Sequence, residues 1–158
     1  MEKILIIGGG QAGFSCASKL RVSGFEGKIS IVCEENIYPY QRPPLSKKYL
    51  TGVFERDRLL LKSEEYYKKN NIEVFLATKA TKINRKKKEV VLEDGRIVCY
   101  TSLVFSTGSR PTKIFCEETK SSKNIYYLRN LDDAEKLKAC LKPNKKLIVI
   151  GGGYLGLE

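Results

Sequence analysis

The chain alternates between short apolar runs, glycine- or proline-marked breaks and amphipathic stretches. The order of these patterns predicts an α/β fold. Lys3–Ile7 carries four consecutive aliphatic residues closed by three glycines, the pattern of a short strand buried on both faces. In Gln11–Ser23, Ala12, Cys16, Ala17 and Leu20 fall near helical spacing, and Gly24 stands where a helix-terminating glycine belongs. Lys28–Cys33 is a second apolar run. A β-α-β order of this kind predicts parallel neighbouring strands joined by a right-handed crossover.

Glu34–Leu50 reads as a loop interrupted by Pro39, Pro43 and Pro44, with a helical turn at Ser46–Leu50. Ser63–Asn70 reads as an amphipathic helix with Ser63 as N-cap and Glu64 and Glu65 in its first turn. Ile72–Leu76, Lys79–Ile83, Glu89–Leu92 and Ile97–Tyr100 are predicted strands, and Asp94-Gly95 is the hairpin turn between the last two. Leu103–Ser106 is predicted as a buried strand ending in Thr107-Gly108. A strand at Ile125–Leu128 and a helix at Leu131–Leu141, with Asp132 and Asp133 in its first turn, follow. Leu147–Ile150 is predicted as a last apolar strand running into Gly151-Gly152-Gly153.

The start and end of the chain echo each other. Lys-Ile-Leu-Ile-Ile-Gly-Gly-Gly-Gln-Ala-Gly begins at Lys3, and Lys-Leu-Ile-Val-Ile-Gly-Gly-Gly-Tyr-Leu-Gly begins at Lys146. Each copy holds a G-x-G-x-x-G motif after an apolar run. In the first, Gly8 permits a tight turn, Gly10 lets the backbone approach a pyrophosphate, and Gly13 lets the helix lie close to the strand. The helix N-terminus offers unpaired N–H groups and the positive end of its dipole to phosphates. Glu34 ends the second strand about twenty residues further on, where a carboxylate accepts hydrogen bonds from ribose hydroxyls and repels a 2′-phosphate. This set reads as the grip for the ADP half of a dinucleotide. On its own it does not separate FAD from NAD. The second motif, Gly151, Gly153 and Gly156, suits an enzyme that holds two dinucleotides.

Composition narrows the chemistry. At 158 residues, 42% hydrophobic and 30% charged, the chain has enough apolar material for a domain with a core. No stretch is long enough to span a bilayer, and the N-terminal apolar run of four residues is not a signal-peptide pattern. Cys16, Cys33, Cys99, Cys116 and Cys140 are odd in number and none lie close in sequence, which excludes CxxC zinc or redox spacing and fits a reducing compartment. A cytoplasmic location is expected, with no membrane partner. Histidine is absent, so no His general base, Ser-His pair or His-ligated metal exists and no metal site is expected. The net charge of +11 comes from scattered lysines without an aromatic-plus-basic stripe; this reads as solvated surface, with no nucleic-acid partner.

The segment Pro39-Tyr40-Gln41-Arg42-Pro43-Pro44-Leu45-Ser46-Lys47 is more specific. Together with Gly8–Gly13, Thr107-Gly108-Ser109-Arg110-Pro111, Tyr127-Leu128-Arg129 and Gly151–Glu158, it resembles the FAD-dependent pyridine-nucleotide oxidoreductases, in the branch of NADH-dependent ferredoxin and rubredoxin reductases. The resemblance runs over essentially the whole chain. It implies an α/β, FAD/NAD(P)-binding, Rossmann-like three-layer fold with a small antiparallel β-meander, here incomplete. Residues 1–112 would be the N-terminal part of the FAD-binding domain. Residues 113–158 would be a connecting segment and the start of the NADH-binding domain.

The resemblance also implies roles. Gln11, Ala12 and their glycine neighbours would contact the FAD pyrophosphate, Glu34 the adenosine ribose, and Arg42 the ADP portion. Ala80 would give adenine a backbone contact. Thr107 and Gly108 would line the FAD cleft, Arg129 would be another FAD-contacting position, and Lys47 would be the catalytic lysine near the flavin N5 edge. NADH would be the electron donor and a ferredoxin- or rubredoxin-type iron–sulfur protein the acceptor; the flavin carries the chemistry, so no histidine base is needed. The disulfide-reductase branch is disfavoured because residues 35–60 contain no cysteine. Family members are more than twice as long, so a C-terminal truncation is expected, with weak FAD binding and slow or no turnover of NADH. The competing readings are a non-catalytic nucleotide-binding remnant, half of a split reductase, and a plain NAD-dependent dehydrogenase.

Overall fold

The computed structural model describes residues 1–114, 122 and 124–158. Cys116 lies outside the described residues. The chain forms two compact units, 1–41 with 60–108 and 42–59 with 109–158.

The first unit is built on a parallel four-stranded sheet. Its strands are β1 (Lys3–Ile7), β2 (Lys28–Val32), β3 (Ile72–Phe75) and β7 (Ser102–Phe105), in the order β3-β2-β1-β7. Helix α1 (Gln11–Val22) makes the crossover from β1 to β2 and ends with Gly24 at φ +82, in the left-handed region that glycine tolerates. The register sets Ile4 opposite Ile29 on one side and Ser102 on the other. Strand β1 is central, which explains its unbroken apolar run: its residues alternate between two covered faces. Ile6, Ile29, Ile31 and Ile72 pack with Phe14 and Ala17 of α1 and Tyr67 of α2 (Glu64–Lys69) on one face. Leu5, Ile7 and Val32 pack with Val90 and Leu92 on the other. These last two belong to an antiparallel meander of β4 (Ala80–Asn84), β5 (Glu89–Leu92) and β6 (Ile97–Cys99). The turn into β6 is the expected one: Gly95 sits at φ +85, and the Asp94 carboxylate accepts from the Arg96 N–H at 3.0 Å. Helix, parallel sheet and meander are the three layers.

Some expectations change. Ser63 holds the N-cap position of α2, yet its hydroxyl makes no cap bond and instead hydrogen-bonds the Glu65 carboxyl, lowering that group's pKa. The strand at 102–105 is only half-buried, and Phe105 is 63% exposed, because β7 is the edge of the described sheet.

The second unit holds two 3₁₀ turns, Pro43–Ser46 and Arg56–Leu59, helix α3 (Leu131–Cys140) and a single helical turn α4 (Tyr154–Leu157). The turn expected at Ser46–Leu50 therefore begins earlier, on Pro43, whose fixed φ suits a first helical position. Leu45, Tyr49 and Leu59 are buried in this unit, as are Leu131 and Ala134 of α3. Asn130 and Asp133 form a capping box at the start of α3. Neither predicted strand of this unit forms. Around Ile125–Leu128 the tyrosine hydroxyls make side-chain contacts instead: Tyr127 accepts from the Ile114 N–H at 2.9 Å and Tyr126 meets Cys140 Sγ at 2.8 Å. Leu147, Ile148, Val149 and Ile150 are 62%, 85%, 56% and 77% exposed. A strand exists only through its ladder, and no neighbour pairs with this run among the described residues.

Candidate dinucleotide-binding site

The first glycine turn is shaped by contacts a side chain would destroy. Gly8 has φ +119, and a Cβ there would overlap the Ser106 carbonyl and lie 3.0 Å from the Thr107 nitrogen. A Cβ on Gly13 would overlap the Gly8 carbonyl oxygen and lie 2.8 Å from Ser106 Oγ. The Ser106 hydroxyl itself donates toward the Gly8 and Ile7 carbonyls, at 3.0 and 3.2 Å. Gly9 is equally constrained, because its Cβ would overlap Cys33 Sγ. Gly10 differs from the other three: nothing lies within 4 Å of the space its Cβ would fill. It is the N-cap of α1 in extended backbone, with no side-chain cap and no acidic residue in the first turn. The space beside the N-cap, at the positive end of a twelve-residue helix, is thus open. The residues present fit a diphosphate at this turn.

Glu34 lies two residues beyond β2 and carries an ion pair with Lys79, Nζ to Oε1 at 3.2 Å. Cys33, packed against Gly9, is 2% exposed; burial, with Glu35 nearby, pushes its thiol pKa up to about 12, which makes it an inert spacer. Ala80 opens β4 at a register shift between Ala80 and Lys82. Thr107 and Gly108 follow β7 directly, the backbone of Thr107 against Gly8 and Gly108 at φ +69. The structure therefore brings Gly8, Gly10, Gln11, Ala12, Gly13, Glu34, Thr107 and Gly108 to the carboxyl end of the parallel sheet, where ligands of open α/β sheets bind.

The remaining candidates belong to the second unit. Arg42 donates to the Arg129 carbonyl at 2.8 Å, and Arg129 Nε donates to the Ser109 carbonyl at 3.0 Å. The Asp133 carboxylate accepts from the Arg129 and Asn130 N–H groups, which ties Arg129 to the start of α3. Tyr49 donates to Glu135 of α3, and the Lys138 ammonium lies 5.1 Å from the Tyr49 ring centroid. Burial and the Glu135 bond raise the Tyr49 phenol to about 12. Glu158 was absent from the sequence-derived candidates. Its carboxylate accepts from Lys47 Nζ and, at 2.6 Å, from the Ser46 hydroxyl, and these bonds hold it below the usual carboxylate range. The second glycine turn repeats the first: Gly151 sits at φ +110, a Cβ on Gly156 would overlap the Gly151 carbonyl oxygen, and Gly153 is open. It adjoins Glu158 and, through it, Lys47.

Ser106, Gly9, Lys79 and Glu158 were missed because their roles rest on contacts distant in sequence. Only the run of three glycines hinted at Gly9. Among the described residues no cluster could hold a metal ion, and no helix is long and apolar enough to cross a membrane.

The fold and the two glycine turns define an α/β chain with the architecture of dinucleotide-binding folds. The family model described as pyridine nucleotide-disulphide oxidoreductase matches residues 2–158, and the chain belongs to that family. It is 41% identical to putidaredoxin reductase CamA of Pseudomonas putida over 99% of its length, and 38% identical to a rubredoxin-NAD(+) reductase of the same species over 98%. It covers 38% and 40% of those proteins, so it spans about two fifths of the length of the curated relatives it matches. Among solved structures, a covalent putidaredoxin reductase–putidaredoxin complex matches with a TM-score of 0.90 at 40% identity, covering 99% of this chain and 38% of that one. The NADH:rubredoxin oxidoreductase of Clostridium acetobutylicum matches with a TM-score of 0.86 at 36% identity, covering 98% and 39%.

Proposed function

We propose that this chain carries the ADP-gripping part of an FAD site, and the first turn of an NADH site, of a reductase that passes electrons from NADH through FAD to a small iron–sulfur protein of the ferredoxin or rubredoxin type. The observation that carries this reading is the Gly8–Gly13 turn. Three of its glycines are filled by protein, and Gly10 alone opens outward at the start of α1. The names of the relatives, which include rubredoxin and putidaredoxin reductases, support the choice of acceptor class.

FAD, when bound, accepts hydride and releases single electrons. The protein's own residues bind and orient. The N–H groups at Gln11 and Ala12 take the pyrophosphate, Glu34 the ribose hydroxyls, Arg42 and Arg129 the polar edge of the cofactor, Ala80 the adenine, and Thr107 and Gly108 the cleft wall. Lys47 is the flavin-contacting lysine, and Glu158 accepts a hydrogen bond from its Nζ. Gly151, Gly153 and Gly156 start the NADH grip. In this reading residues 1–112 are the N-terminal part of the FAD-binding domain, and 113–158 are the connection and the start of the NADH-binding domain. The cytoplasm is the proposed compartment, supported by cysteines without redox spacing.

The test is a titration of the purified chain with FAD, followed by flavin fluorescence quenching and absorbance, then addition of NADH. Weak, saturable FAD binding with slow or no bleaching by NADH is expected. Absence of FAD binding by a folded chain overturns the reading, and rapid bleaching overturns the expectation of slow turnover.

A further inference from the structure

A cavity of about 410 Å³ lies within the first unit, and none of its lining residues belongs to the glycine turn. The lining includes Lys3 and Lys28, which open β1 and β2, Phe75 of the edge strand β3, and Arg96, Ile97 and Val98 at the start of β6. Side-chain alternation explains the gap. Lys3, Lys28, Glu73 and Phe75 share the meander-facing side of the sheet with Leu5, Ile7 and Val32. Val90 and Leu92 of the meander pack on the apolar carboxyl half of that face. Its amino half is polar, where covered parallel strands are ordinarily apolar, so the meander finds no apolar surface there to close on.

The charges around the cavity are unequally matched. Lys28 Nζ pairs with Glu73 Oε2 at 3.1 Å, and the buried Ser30 hydroxyl donates to the same oxygen at 2.8 Å. Arg96 Nε donates to the Asp94 carboxylate at 2.8 Å, and the Arg96 guanidinium carbon lies 4.8 Å from the Phe75 ring centroid. The Lys3 ammonium has no ion-pair partner among the described residues. Three cations, Lys3, Lys28 and Arg96, therefore meet two carboxylates, Glu73 and Asp94, beside an apolar wall of Phe75, Ile97 and Val98.

We propose that this cavity is a binding site for a small aromatic carboxylate, with its ring against the apolar wall and its carboxylate on the Lys3 ammonium. The surplus of one positive charge matches a monoanion. Apolar walls with a few charged groups, at a volume of this order, are the make-up of small-ligand sites, and Phe75 offers an aromatic ring to pack on. The chain's net charge of +11 favours approach of an anion. Lys28 and Arg96 are about half exposed, so solvent and salt screen the contact and the affinity is modest.

The experiment is an amide NMR titration of the full isotope-labelled chain with naphthoate. Naphthylmethanol supplies the ring without the charge, and acetate the charge without the ring. Naphthoate is expected to give saturable shifts at Lys3, Phe75 and Val98 and none at Gly10 or Ile148, and to bind more tightly than either control. Lys3→Met is expected to weaken naphthoate about fivefold, the upper range for one exposed charge contact, and to leave naphthylmethanol unchanged. Should that variant fail to fold, raising the ionic strength on native protein replaces it, and naphthoate is expected to weaken while naphthylmethanol does not. Absence of saturable shifts at the cavity, shifts centred on Leu147–Ile150 instead, equal affinity for acid and alcohol, or naphthoate binding indifferent to both Lys3→Met and salt each overturns the proposal.

Discussion

Replacing Gly10 by aspartate separates binding from folding at the first glycine turn. Gly10 has extended N-cap backbone, φ −86 and ψ −171, and open space where a side chain would go. Aspartate is among the best N-cap residues, and its carboxylate would accept from the first free N–H groups of α1 at the positive end of the helix dipole. Cap and dipole effects together give about 0.5–1 kcal/mol of added stability. For a chain of this length that is a rise in Tm of about 1–4 °C. The same carboxylate takes the N–H groups a pyrophosphate needs and repels its charge. Losing hydrogen bonds to a charged group at about 1.5–3 kcal/mol apiece predicts at least a hundredfold fall in FAD affinity. Gly13→Ala is the opposite case. Its Cβ overlaps the Gly8 carbonyl oxygen and crowds Ser106 Oγ at 2.8 Å, and the first of these is backbone that cannot rotate away. Overpacking of this kind costs about 3 kcal/mol, the upper end of its usual range, and lowers Tm by about 6–12 °C. Differential scanning calorimetry and FAD fluorescence titration read the two effects. Gly10→Asp that binds FAD within threefold of native, or that destabilises as Gly13→Ala does, refutes the division of labour among the glycines.

Further outcomes are expected elsewhere. Cys33 should resist alkylation at pH 8 in the native chain while exposed Cys99 and Cys140 react, read by mass spectrometry of peptides; comparable labelling of all three would contradict its burial. Its thiol pKa is raised on folding, so the stability it lends is full below the ordinary value of 9.0 and falls as the pH climbs from there toward about 12, a trend that Cys33→Ser should flatten in alkaline denaturation curves. The Glu158 carboxyl is lowered by Lys47 and Ser46, so its contribution is present above the ordinary value of 4.5 and lost as acid protonates it below that. An NMR titration of the Glu158 side chain should show a midpoint that rises in Lys47→Met; an unchanged midpoint would remove the ion pair from the account. Ile148→Lys, at a position 85% exposed, should leave Tm within about 1–2 °C, equivalent to 0.5 kcal/mol, and reduce self-association in sedimentation velocity.

The local periods of the sequence determined the first unit closely. Four aliphatics ending in glycine, a helical stripe and a second apolar run suffice for β1, α1 and β2, because strand alternation, helix spacing and turn chemistry act over a few residues. The glycine spacing likewise marked the tight turn before α1, where Gly8 and Gly13 are closely packed and Gly10 is open. Tertiary structure decided the rest, for reasons that local pattern cannot carry. The meander covers the sheet face opposite α1 because Val90 and Leu92 meet Leu5 and Ile7, a pairing of distant segments. Leu147–Ile150 has the same pattern as β1 but no ladder among the described residues, because β1 is a strand through β2 and β7 rather than through its own residues. The charge partners of the site, Lys79 for Glu34 and Glu158 for Lys47, are products of backbone turns that bring remote residues within hydrogen-bond reach. The candidate site residues were therefore legible in the chain, while what surrounds each of them came only with the fold.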